Sequence, residues 1–520
     1  MMLDLYAQTQ DFQEEVHLSL NTTNILVGET LHFSVFVYSN KTKQLSELSS
    51  LLYVELIDQK GNPVHQTKVG LRGGRGAGKI YINPAWLTNT YRVVAYTKWM
   101  RNYDAYFEQS LLVLNPYIGL TKIYEISGTP VQVKANDPRN ETYGQLQQVT
   151  MNLGDVEPSS LSITVSKKPN LFYTNEINLE RPKAAIESYN ILPDYKYAQV
   201  QGRIKAIAGD QAGERINMTV KGDFFQVATT VTDEYGRFWM NYKPELTSNG
   251  SIQIQTENES IEFDLIDEFR IGYPVLNQGK TVLDAVFMST LIDRSIYAQI
   301  QNAYLLPEQS EQSVRNTYLN REDVIVYHLD DYKRFTSIRD TFIELTILIG
   351  VSKSEESDKI FVRCEQLPGM ASNANSPMIL LDGLRVDART LLDQNPNDIE
   401  KIEVLPAYYF VDDQVYKGVI SAHTFDESGK NMPGLGEIFS LSEYQPYFNQ
   451  EYEINATVNL PHYERNVLWK PMHRHGGGSF VLEFTTSRLV GNYQVSIRGI
   501  TNTGEPVNIA RYFQVAASNQ

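Results

Sequence analysis

His473 and His475, two residues apart and followed by Gly476-Gly477-Gly478, are of a type that binds metal. Strand positions i and i+2 share a face, but a tetrahedral site needs two further donors. His462 lies eleven residues upstream of His473 with no helix to bring it to ligand spacing, and no Asp, Glu or Cys nearby completes the set, so the pair reads as a solvated loop. Gly73-Gly-Arg-Gly-Ala-Gly-Lys79 meets the Gly-x-x-x-x-Gly-Lys part of a phosphate loop. Ile80 stands where magnesium needs Ser or Thr, and the loop enters a strand pattern where a helix N-terminus is required, so the reading is a plain loop. Asp330-Asp331 and Asp412-Asp413 lack the spaced Asp/Asn-Gly-Glu frame that wraps calcium and read as turns. No Gly-x-Ser-x-Gly elbow or His-Glu-x-x-His helix is present, and the lone Cys364 has no recognisable catalytic surroundings. The expectation is therefore no catalytic set, no cofactor and no metal.

Tyrosine is abundant, at 32 residues, with clusters at Tyr408-Tyr409-Phe410 and Tyr444-Gln-Pro-Tyr-Phe448. Amphipathic aromatics of this kind serve either as sandwich core or as interface centres. Tyr408, Tyr409 and Phe410 are taken as the candidate partner-binding residues.

The chain that must position these residues has 520 residues and a net charge of -16 from 46 basic and 62 acidic side chains. The length calls for several domains, and the acidic balance argues against nucleic acid as a partner. No run approaches the roughly 18 apolar residues of a membrane span; Leu345 to Val351 is the most apolar stretch. Residues 1–15 read as a leader remnant or flexible N-terminus, with Tyr6-Ala7-Gln8 like the tail of an export signal.

Residues 16–115 alternate in period two, as in Leu31-His-Phe-Ser-Val-Phe-Val-Tyr38 and Leu52-Tyr-Val-Glu-Leu-Ile-Asp58, which predicts a β-sandwich. The order of Gly28-Glu29-Thr30, Asp58-Gln-Lys-Gly61-Asn-Pro-Val and Tyr91-Arg-Val-Val-Ala-Tyr-Thr-Lys-Trp-Met-Arg-Asn102 resembles a macroglobulin-like domain of exported Bacteroidota proteins. Residues 116–193 continue as a second β module, with Val131-Gln-Val-Lys and Leu161-Ser-Ile-Thr-Val-Ser as its clearest strands. In 194–272, Val200-Gln-Gly202 followed by Thr232-Asp-Glu-Tyr-Gly-Arg-Phe238 is similar to a carboxypeptidase-regulatory-type β domain. Residues 431–520 return to strands and read as a terminal immunoglobulin-like sandwich. Pro116, Pro193 and Pro274 mark short linkers. Macroglobulins proper carry a Cys-Gly-Glu-Gln thioester; Cys364 is followed by Glu365-Gln366 without the glycine, so that chemistry is not expected.

Helical spacing enters at Val282 to Ile292 and at Phe335 to Leu345, making 273–430 a mixed α+β module. Three ordered motifs follow: an apolar strand into Asp382-Gly383, the run Asp398-Ile399-Glu400-Lys401-Ile402-Glu403-Val404, and the closing Gly418-Val-Ile. Asp-Gly suits a two-residue hairpin turn, Asn397 or Asp398 suits local backbone pairing, and Ile399, Ile402 and Val404 bury one face between polar neighbours. Together they resemble the plug domain of TonB-dependent receptors. That family's plug fills a 22-stranded barrel, and the 90 residues after Lys430 are too few for one at roughly 9 to 11 residues per strand. The fold expected is mainly β: tandem immunoglobulin/macroglobulin-like sandwiches with one plug-like α+β module.

From these resemblances the expected role is a non-enzymatic periplasmic subunit associated with the outer membrane. Its expected partner is an outer-membrane β-barrel protein, in a type 9 secretion translocon or a TonB-dependent uptake receptor. A cell-surface adhesin or glycan-binding protein is the second reading, and an enzyme with accessory β domains the third.

Overall fold

The computed structural model describes residues 13–118, 125–127, 129–132, 141–168, 171–174, 191–205, 213–222, 224–246, 250–256, 261–270, 272–275, 280–282, 285–304, 319, 321–352, 359–364, 374–425, 436–447, 451–454 and 461–517. The leader-like Tyr6-Ala7-Gln8 and the Glu365-Gln366 pair lie outside them. The chain is mainly β and forms two bodies, one of Met1–Lys196, Phe269–Gln309 and Gln445–Gln520, the other of Tyr197–Glu268 and Ser310–Tyr444. No helix among the described residues is long and apolar enough to cross a membrane.

In the first body, strands Glu14–Leu20, Thr30–Ser39 and Arg75–Tyr81 form one sheet. Asn24–Leu26, Phe107–Leu114, Asn89–Tyr96, Leu51–Ile57 and Pro63–Gly70 form the other. The alternation in Leu51–Ile57 predicts one wet face, yet all seven of its residues are buried. The outward side chains are covered by the segments around Pro193 and Pro274. Tyr53 donates to the Asp194 carboxylate at 2.8 Å and meets Phe269 edge to face. Glu55 accepts the hydroxyls of Tyr96 and Tyr273, and Arg92 donates to the Pro274 carbonyl at 2.8 Å. Asn102 pairs two-fold with the Ile191 backbone, accepting its N–H at 3.0 Å and donating to its carbonyl at 2.8 Å. The linkers are thus straps lying along a sheet.

The second sandwich of this body corrects the expected domain map. Ser159–Lys167 lies between Asn466–His475 and Gly491–Thr501, Gln148–Val156 pairs with Gly478–Thr485, and Glu141–Tyr143 joins Pro506–Val515. Strands assigned to 116–193 and to 431–520 therefore build one sandwich around Leu161, Ile163, Val165, Phe484, Val495 and Phe513. Each piece leaves strand edges open that the other hydrogen-bonds, which neither could do alone. Tyr493 closes a corner there, donating to the Leu489 carbonyl at 2.7 Å. The expected helix beginning near Val282 runs Ala285–Tyr304 and belongs to this body, not to the plug-like module. Arg294 holds it to Glu29 at 2.7 Å and to Asn24 at 2.8 Å, and Tyr297 stacks on Tyr463.

In the second body, Ala198–Ile204, Arg237–Tyr242 and Phe263–Leu265 face Arg215–Lys221, Gln226–Val231 and Ser251–Thr256. Glu437–Ser440 returns to extend the latter sheet. Asp233 shapes the predicted turn by accepting the N–H groups of Tyr235 and Arg237, each at 2.9 Å. Phe238 fills the sandwich over Gly202, where an added Cβ would lie 2.4 Å from its ring. The plug-like module is a five-stranded sheet in the order Ile325–His328, Ile399–Val411, Gln414–Thr424, Met378–Leu381, Leu384–Arg385. Helices Ile338–Glu344 and Ala388–Leu392 pack on one face through Ile338, Phe342 and Leu391. Ser337 caps the first of these helices, its Oγ accepting the Asp340 N–H at 3.0 Å.

Candidate docking site on the plug-like module

The predicted turn is present: Asp382 and Gly383 both have positive φ, 49° and 78°, as a two-residue type I′ hairpin turn requires. The Asp382 side chain is buried and reaches past the turn. One oxygen accepts the Thr424 N–H and the other its hydroxyl, each at 2.7 Å. Ile399, Ile402 and Val404 are fully buried on the helix-covered face, as patterned, and Glu400 is exposed. The local backbone pairing comes from Asn395, whose Oδ1 accepts the Asn397 N–H at 3.0 Å.

Glu403 departs from the pattern. It sits on the sheet's other face and is fully buried, because that face carries the sandwich where solvent was expected. Lys401 Nζ donates to it at 2.7 Å and the Leu319 N–H at 3.2 Å. His423 lies 3.8 Å from Glu403 and 3.0 Å from Ser421 Oγ, so a serine, an imidazole and a carboxylate converge. Both contacts fall on Nε2, whereas a relay that activates a nucleophile uses the two ring nitrogens separately, and Ser421 is fully buried. Burial lowers the His423 pKa to about 4, outweighing the upward pull of Glu403 and Asp382, with Lys401 and Lys221 opposing that pull. The sequence carried no signal for this cluster beyond Ser421 and His423 sharing a strand face.

A buried imidazole kept neutral binds fewer protons than its unfolded counterpart between its folded value of about 4 and the ordinary 6.5. Its stabilising contribution is complete above pH 6.5 and is lost as the pH falls toward 4. Denaturant titrations of the wild type from pH 7 to pH 4 should show this body losing roughly 2–3 kcal/mol that His423→Gln does not lose. Equal pH slopes in the two proteins would refute it.

Of the three aromatic candidates, Tyr408 is 8 % exposed, and Tyr409 packs its ring 5.9 Å from Phe225 of the sandwich. Phe225 joins Met378, Leu380, Leu405, Val411 and Val419 in a core shared by sandwich and plug-like sheet. Only Phe410, 54 % exposed, faces solvent, at the end of the long hairpin. The Asp412-Asp413 pair forms that hairpin's tip and latches it to the sandwich. Asp413 takes both guanidinium nitrogens of Arg215 at 2.7 and 2.9 Å, and Asp412 accepts the Thr229 N–H at 2.8 Å. On the opposite sheet edge, Gln253 pairs two-fold with Arg385, donating to its carbonyl at 2.9 Å and accepting its N–H at 2.7 Å. Gly418 occupies a bulge opposite Pro406 and Ala407.

The other candidates are placed as follows. Gly73 and Gly74 form a tight turn before the strand Arg75–Tyr81. His473 and His475 flank the Phe480 ring, and no group of three metal-ligating side chains gathers among the described residues. Asp330 lies in a 3₁₀ turn against Arg334, and burial pushes the Cys364 thiol up, away from nucleophilic character. Apolar side chains remain in water on the plug-like module: Ile325 on its edge strand, Ile343 on the capped helix, Ile347 after it, and Phe361 on the small hairpin. The Tyr327 side chain, on the same strand face as Ile325, bonds the backbone of Ile347.

The fold is that of a mainly β protein of several sandwiches carrying one α+β module. No family model and no curated protein matches the chain. Among solved structures it overlaps Salmonella α-2-macroglobulin reacted with methylamine at 8 % identity, covering 97 % of this chain and 39 % of that one, with a TM-score of 0.26. Trypsin-activated α-2-macroglobulin from Escherichia coli gives 8 % identity, 97 % and 42 % coverage and a TM-score of 0.26. Dimeric latent PorU from Porphyromonas gingivalis gives 9 %, 52 % and 34 %, and 0.18. The chain spans about two fifths of the length of these macroglobulins.

Proposed function

We propose that this chain is a non-enzymatic accessory subunit that docks by its plug-like module on an outer-membrane β-barrel protein from the periplasmic side. A secretion translocon of the type 9 kind or a TonB-dependent uptake receptor is the machine it would serve. The observation that supports this reading is the set of apolar side chains left in water on that module, with Ile347 at 78 % exposure the extreme case. Burying one such side chain against a partner contributes roughly 1.5–3 kcal/mol, enough for a few residues to decide an interface. The module is held to its sandwich by the Arg215–Asp413 latch and the shared Phe225 core, so it presents these residues without first having to order them.

The test is affinity purification of the tagged chain from gently solubilised envelopes, with mass spectrometry of co-eluting proteins. A stoichiometric barrel protein should co-elute with the wild type. It should fall at least tenfold with Ile347→Glu plus Phe361→Glu, exposed changes that leave the fold's thermal transition in place. The absence of any barrel protein from the wild-type eluate, or its undiminished recovery with the double variant, would sink the proposal.

A further inference from the structure

The two sandwiches of the first body meet through faces turned away from their own cores. On the first, His17 and Ser19 alternate with buried Leu18 and Leu20, and Ser34 stands opposite Ser19 on the next strand. On the second, Ser160, Ser162 and Thr164 alternate with the core residues Leu161, Ile163 and Val165, and Arg498 stands opposite Ser162. The faces touch where the His32 ring lies 6.4 Å from Trp469 and where Arg75 Nε donates to Ser160 at 2.9 Å.

Hydroxyls and cations dominate this junction. Ser34 and Ser162 are 0 % and 2 % exposed, and neither hydroxyl has a hydrogen-bond partner among the described residues. Arg498 is half-buried and makes no hydrogen bond or ion pair among the described residues. It is close enough to act on two other half-buried groups: burial and then the Arg498 charge push Lys168 down to about 8 and lower His17, while burial alone lowers Arg498. A guanidinium withdrawn from water without a counter-charge is costly, and so is a buried unpaired hydroxyl. One occupant relieves both.

We propose that the junction binds a small tetrahedral oxyanion, phosphate or sulfate, between the Arg498 guanidinium and the Ser162 hydroxyl, with His17 and Lys168 as flanking donors. The guanidinium offers two parallel N–H donors, which match the oxygen spacing of such an anion and discriminate against chloride. The anion ties one sandwich to the other.

The experiment is calorimetric titration and thermal unfolding of the full chain with inorganic phosphate and with sulfate, at constant ionic strength set by chloride. A glycerol phosphate arm separates a free anion from an esterified headgroup. Phosphate or sulfate should bind one per chain and raise the melting temperature above the chloride reference. Affinity should fall at least tenfold in Arg498→Gln and several-fold in Ser162→Ala, and stay unchanged in Arg511→Gln, whose side chain is exposed on the neighbouring strand. No binding beyond chloride by the unaltered chain overturns the proposal, as does binding that survives both Arg498→Gln and the near-isosteric Ser162→Ala.

Discussion

Replacing Asp382 with alanine should destabilise the second body by about 3 kcal/mol, because it strands two polar groups of Thr424 at once. Thr424 is only 4 % exposed, and its N–H and hydroxyl each donate to a different Asp382 oxygen at 2.7 Å. Removing the acceptor leaves each donor with the desolvation cost of an unmade hydrogen bond, roughly 1–3 kcal/mol apiece. The substitution also places a Cβ residue without a helpful side chain at φ 49°, a conformation that Asp and Asn tolerate better than Ala. Asp382→Asn keeps an acceptor and the turn preference, and should cost less than about half as much. Urea unfolding of the three proteins checks this; an Ala variant within about 0.5 kcal/mol of wild type would show that the aspartate serves the turn alone.

Gly418→Ala should cost about 3 kcal/mol by a different route. Its φ is +94°, and a Cβ built there would lie 2.8 Å from the Val362 Cβ and 3.0 Å from the Leu405 carbonyl oxygen. Backbone strain accounts for roughly 1–2 kcal/mol, and overpacking against a strand and a hairpin for a further 1–3. Gly154 separates the two terms, since its φ of +89° is similar but nothing among the described residues lies within 4 Å of the added Cβ. Gly154→Ala should therefore lose only the backbone part, about 1–2 kcal/mol. Equal losses at both positions would show that the crowding at Gly418 relaxes at no cost.

Much of the plug-like module was legible because its signals are local. The Asp-Gly turn depends on two adjacent residues, and the buried positions of Ile402 and Val404 follow from strand alternation, which Ile399 joins through the register shift before Lys401. The role of Glu403 was not legible, since alternation states which face a residue occupies and not what covers that face. The same gap explains the aromatic candidates. Tyr409 has the chemistry of an interface and serves one, but its partner is Phe225 of the chain's own sandwich, while the adjacent Tyr408 is buried without joining that core. Asp412-Asp413 reads correctly as a turn, yet its function as a latch depends on Arg215, which the sequence places far away.

By itself the sequence determined the strand-rich class, the turns at Asp233-Gly236 and Asp382-Gly383, and the helical stretches near 285 and 338, because propensity and periodicity act within a few residues. Tertiary structure alone decided which strands share a sheet. Ser159–Lys167 takes both its neighbours from beyond the two inserted modules, and Tyr53, Glu55 and Arg92 are buried by straps at 191–194 and 269–275. A β-strand's hydrogen bonds are satisfied by whichever edge the chain brings alongside, so its partner is a property of the whole fold and leaves no mark in the strand's own residues.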